Sequence, residues 1–70
     1  MAKVISSMAG TVLEVIVKVG DSIKSGQEVA VLESMKMEVP LVSTVSGKVV
    51  AVIKNKGEFV NEGEAVIELA

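Results

Sequence analysis

Three observations in this 70-residue sequence predict an all-β fold, two similar halves closed as a flattened barrel or sandwich. β-branched residues dominate, with 15 Val and 5 Ile. Two γ groups on Cβ crowd a helical turn but pack well on a pleated surface. Six glycines then cut the chain into short apolar pieces of strand length. Finally, sliding the sequence against itself by 37 positions superposes Gly10 on Gly47, Gly20 on Gly57 and Gly26 on Gly63. The same shift matches Ser6 with Ser43, Val12 with Val49, Val15 with Val52, Ile16 with Ile53, Val29 with Val66 and Leu32 with Leu69.

Taken in order, strands are expected over residues 3–6, 11–18, 28–33, 38–42, 48–54 and 64–69, with short extended pieces at 22–23 and 59–60. No ten-residue stretch keeps an i, i+3, i+4, i+7 apolar pattern free of Gly and β-branched runs, so no helix is expected. The repeats span 2–33 and 39–70 within one domain, 1–70. A copy of about 32 residues is too small to bury its apolar face alone, so the two must share a core. An approximate two-fold axis relates them, and closure limits exposed edges in a Val-rich chain.

Each copy contains one turn cassette, GDSIKSG at 20–26 and GEFVNEG at 57–63. Its glycines allow positive φ at both ends, while Ile23 or Val60 plugs the core. No Lys-Ser/Thr pair or helix start follows, which excludes a phosphate-cradling loop.

Between the copies lies Ser34-Met35-Lys36-Met37-Glu38. Antiparallel pairing of the flanking strands makes this a tight hairpin, with Lys36 at its apex and the chain termini far away. Asn-Gly or Asp-Gly usually fills such a turn, because its central residues need positive φ. Met-Lys here is a local misfit. Either Met35 and Met37 fold back onto the core, or they stay at the tip for a partner. Pro40, lacking an N–H, belongs on an edge strand or at a bulge.

Composition removes many functions. The sequence has no Cys, His, Trp, Tyr or Arg. Thiol nucleophiles, His bases and the usual zinc ligands are therefore missing, so no catalytic or metal residue is assigned. A net charge of −2 with seven scattered lysines is no nucleic-acid footprint. No uncharged apolar run approaches membrane-spanning length and no export signal is visible, so a cytoplasmic, membrane-free protein is expected.

The string EVAVLESMKMEVP, set inside a glycine-matched repeat, resembles the biotinyl/lipoyl attachment domains, specifically the biotin carboxyl carrier type. The likeness runs from MAGTVLEVIVKVGDSIKSG to GEFVNEGEAVIELA. It implies two four-stranded antiparallel sheets, and a biotin protein ligase that joins biotin to the Lys36 amine as an amide. Tethered biotin would then shuttle a carboxyl group between biotin carboxylase and carboxyltransferase sites, the carrier itself being a non-catalytic monomer. Met35 and Met37 would serve recognition by these partners. Two departures stand out: Ser34 replaces the more familiar Ala, and no thumb is inserted between Gly10 and Gly20. The shared fold leaves two alternatives, a lipoyl carrier of a 2-oxoacid dehydrogenase complex and an unmodified β-barrel binding module. Lipoyl domains usually place Asp before the lysine and Ala or Val after it, unlike Met35 and Met37.

Overall fold

The computed structural model describes residues 2–70. Eight strands follow one another: β1 (Ala2–Ile5), β2 (Gly10–Val15), β3 (Ser22–Ile23), β4 (Glu28–Ser34), β5 (Met37–Val42), β6 (Gly47–Val52), β7 (Phe59–Val60) and β8 (Ala65–Leu69). They form two four-stranded antiparallel sheets, ordered β1-β8-β6-β3 and β5-β4-β2-β7. Exchanging β1 with β5, β2 with β6, β3 with β7 and β4 with β8 converts one order into the other. Every sheet thus takes two strands from each half of the sequence. No helix is long and apolar enough to cross a membrane among the described residues.

The core repeats the same pairing. Of its thirteen buried apolar residues, twelve form six pairs at the 37-residue spacing: Val4/Leu41, Val12/Val49, Ile23/Val60, Val29/Val66, Ala30/Ile67 and Leu32/Leu69. Val17 is the odd member, since its counterpart is Lys54. Buried Ser6 and Ser43 are also counterparts, and their hydroxyls donate to the carbonyls of Met8 and Val45 respectively. That local bond is what lets a hydroxyl sit inside an apolar core without a desolvation penalty.

The glycine N–H groups of the turn cassettes bind across the dyad. Gly26 N–H donates to Ser43 O at 2.7 Å, and Gly63 N–H donates to Ser6 O at 2.9 Å. Gly20 N–H reaches Val49 O at 2.9 Å, and Gly57 N–H reaches Val12 O at 2.8 Å. Positive φ at these four glycines, between 89° and 100°, turns the chain sharply enough to make those bonds.

Two sequence expectations need correction. The second strand ends at Val15, not residue 18, and the sixth at Val52, not residue 54. Past those points the chain turns into the cassettes, where Lys18 N–H donates to Asp21 Oδ2 and Asn55 N–H to Glu58 Oε1. A side-chain acceptor serves Lys18 and Asn55, and apolar Ile16 and Val19 lie outside any strand, 49% and 62% exposed. Pro40 lies on β5, an edge strand, where its missing donor costs no ladder bond.

Candidate functional site

Ser34 at the end of β4 pairs with Met37 at the start of β5, leaving Met35 and Lys36 as a two-residue loop. Both have positive φ, 54° and 64°. Two-residue hairpins demand this at both central positions, because the primed turns match the strand twist. An L-residue with a Cβ loses roughly 1–2 kcal/mol there. The pairing of β4 with β5 over six residue pairs, from Glu28 opposite Val42 to Ser34 opposite Met37, imposes the turn on an unsuited sequence.

Geometry decides what the tip displays. Lys36 is exposed, Met35 is 89% exposed and Met37 65% exposed. The reading in which both methionines fold back onto the core therefore fails. Both loop residues stand exposed, and exposed Met37 opens β5 beside them. Long apolar thioethers standing in water beside a primary amine suit contact with a second macromolecule.

Below the tip, Glu33 on β4 lies directly opposite Glu38 on β5, both exposed. Like charges in that position repel. Neither is in an ion pair, since Lys54 with Glu64 at 3.8 Å is the only one among the described residues. Foremost the Asn61 backbone N–H, and beside it the Lys54 ammonium, hold the Glu64 carboxyl below its ordinary value. That pair flanks the second cassette. Gly10 supports the hairpin from beneath: a Cβ on it would lie 2.6 Å from Glu33 O and 3.6 Å from Ser34 Cβ. The sequence marks Gly10 only as a repeat position, and close backbone approach is what requires it. Among the described residues no cavity opens, and no cluster of acidic side chains is placed to hold a metal ion.

A family model described as "Biotin-requiring enzyme" matches residues 2–69. The chain belongs to the biotin/lipoyl attachment family. Within that family it is 57% identical over 63 residues to the Biotin/lipoyl attachment protein of Bacillus subtilis, covering 90% of this chain and 86% of the other. It is 41% identical to the Biotin carboxyl carrier protein of Streptococcus mutans, covering 90% of this chain and 48% of that one. Among solved structures, the Kluyveromyces lactis urea carboxylase superposes with a TM-score of 0.88 at 29% identity. There 99% of this chain matches 6% of the larger one. The chain thus spans most of the Bacillus relative, about half of the streptococcal one and a small part of the carboxylase. At the apex of the β4–β5 hairpin the chain exposes Lys36 between two exposed methionines.

Proposed function

We propose that this protein is a biotin carrier, a single domain of residues 1–70 whose Lys36 is the attachment residue. The observation that carries it is the exposed Lys36 amine on the two-residue hairpin, inside a Met-Lys-Met sequence in a chain of this family. The tip fits a covalently held group because Lys36 is exposed there, with a four-carbon stem for reach. A biotin protein ligase presents biotin as an acyl-adenylate. The unprotonated Lys36 amine attacks the acyl carbon, the C–N bond forms, AMP leaves with the bonding pair, and the nitrogen sheds a proton. One positive charge disappears from the tip.

Bound biotin supplies the ring that carries a carboxyl group. The chain's own residues do the rest by placement. The rigid hairpin holds the attachment point away from the sheets, so a partner's active site can admit the arm without meeting the barrel. Tethering raises the effective concentration of the group at a biotin carboxylase site and then at a carboxyltransferase site. No residue of the carrier needs to be catalytic, and a monomer suffices. Met35 and Met37 offer adaptable apolar contact to these partners. The relatives include a propionyl-CoA carboxylase alpha chain and a urea carboxylase. One scaffold thus accompanies different acceptors, so acceptor choice is assigned to the partner.

Lipoate is the second reading, favoured by the name of the Bacillus relative. Intact mass of the purified chain after incubation with ATP, biotin and biotin protein ligase tests the first. A single biotinyl increment, absent in Lys36→Ala, is expected. A lipoyl increment under lipoate ligase, with none under the biotin enzyme, supports the second. A folded chain that acquires neither overturns both.

A further inference from the structure

The two turn cassettes occupy equivalent places by the pseudo-dyad, yet only one of them stands beside the tip. β7 pairs with β2 through Phe59 opposite Thr11. Thr11 in turn lies opposite Glu33, and Glu33 opposite Glu38. Phe59, Thr11, Glu33 and Glu38 therefore form one row across the outer face of the sheet, one residue pair below the Ser34–Met37 closure. Phe59, Glu33 and Glu38 are exposed and Thr11 is half-buried, whereas Val60, next to Phe59, points inward and is fully buried.

Phe59 is the only aromatic residue in the sequence and is 56% exposed. Its dyad counterpart is Ser22 on β3, opposite Lys48, at the end where β1 and β8 bring Ala2 beside Leu69. The fold does not need a ring at this position, because Ser22 fills the same place while buried Ile23 does the packing. Charge breaks the symmetry in the same sense. Cassette 57–63 carries Glu58 and Glu62 and no lysine, whereas 20–26 carries Asp21 and Lys24. On the tip side, an exposed ring thus lies in line with two mutually repelling carboxylates that have no ion-pair partner.

We propose that this row is the docking surface for the enzyme that acylates Lys36, which meets it with an apolar pocket for Phe59 bordered by basic side chains. The proposal rests on Lys36 being the acylated residue. A cationic rim matches the surface because it relieves the Glu33–Glu38 repulsion while the ring leaves water. The row also fixes sidedness. A protein seated on β5-β4-β2-β7 has the Lys36 amine at the border of its footprint, whereas one on the opposite sheet does not. Phe59 acts as a specificity-determining contact, remote from the amine's chemistry.

The test is steady-state acylation of the full chain by biotin protein ligase with ATP and biotin. Phe59→Ser installs the residue that the dyad already tolerates, and its kcat/KM is expected to fall about tenfold or more, through KM with kcat unchanged. Ser22→Phe leaves acylation at the wild-type rate. Phe59→Met, which keeps apolar bulk, retains most of the efficiency. Wild-type KM rises with added NaCl, and Glu38→Gln flattens that dependence. Thermal melting checks the fold, and Phe59→Thr, a better strand former, substitutes if Phe59→Ser melts early. Acylation of Phe59→Ser or Phe59→Thr as fast as wild type overturns the docking surface and leaves the carrier reading intact. Equal impairment by Ser22→Phe overturns it as well. A wild-type chain that accepts no biotin overturns both.

Discussion

Gly10 and Gly26 both disfavour a side chain, but different forces constrain them. At Gly26, φ is +92° and nothing lies within 4 Å of where a Cβ would sit. The penalty for a side chain there is conformational, and Gly26→Val should cost more than about 1 kcal/mol. Gly10 has no positive φ, yet its Cβ would press on Glu33 O at 2.6 Å. That oxygen belongs to the central strand β4 and cannot swing aside like the end of a flexible side chain. Gly10→Ala should therefore destabilise by about 1–3 kcal/mol. It should also shift the amide resonances of Ser34 to Met37 in an NMR spectrum, which Gly26→Val should not. Urea midpoints measured on both variants check the magnitudes, and a neutral Gly10→Ala would mean that β2 and β4 separate to admit the Cβ. At the tip the same accounting applies to Met35 and Lys36. Their left-handed backbone is held against the preference of residues with a Cβ.

Among the elements, the end of the second cassette carries a proton linkage at Glu64. Glu64 Oε1 accepts from Asn61 N–H at 2.7 Å, and its dyad counterpart Gln27 Oε1 accepts from Lys24 N–H at 3.0 Å. An ionised acceptor and a neutral one close the same turn. Because the Glu64 carboxyl is held below its ordinary value, its contribution is present above the unfolded-state pKa and fades as pH falls through the folded-state value. Glu64→Gln should fold, copying the first cassette, and should weaken the acid-side fall in melting temperature. An unchanged pH profile would place the acid sensitivity elsewhere. The strands themselves were legible from the glycine spacing and Val content, and the hairpin at Met35 and Lys36 from the repeat. The bulges were not. Register shifts beside Leu13 and Val29, and beside their counterparts Val50 and Val66, break the two-residue alternation. Val29 and Ala30 are consequently both fully buried, which no period-two reading of 28–34 allows. The place of Phe59 beside the tip is equally illegible in the sequence, because it depends on β7 pairing with β2 across half the chain.

For the whole molecule, the decisive property is that neither half owns a complete sheet or core. Each sheet is half-and-half, and each cassette donates its glycine N–H groups to the other copy. Residues 2–34 expressed alone should accordingly give a disordered-chain circular dichroism spectrum with no cooperative melt. A stable, cooperatively unfolding half would contradict the shared core. The same interdependence explains how two unlike surfaces coexist on a symmetric frame. Counterpart core positions stay nearly identical, such as Val12 with Val49 or Leu32 with Leu69, while outward positions such as Ser22 and Phe59 diverge freely.

The pairing of Ala2 with Leu69, side by side on antiparallel β1 and β8, has a mechanical consequence. Tension applied through these two residues would peel the strands apart like a zipper. Hydrogen bonds perpendicular to the strands would rupture one after another instead of sharing the load in shear. Tugging should therefore open the barrel from the base at low force, while the β4–β5 ribbon at the far pole yields last.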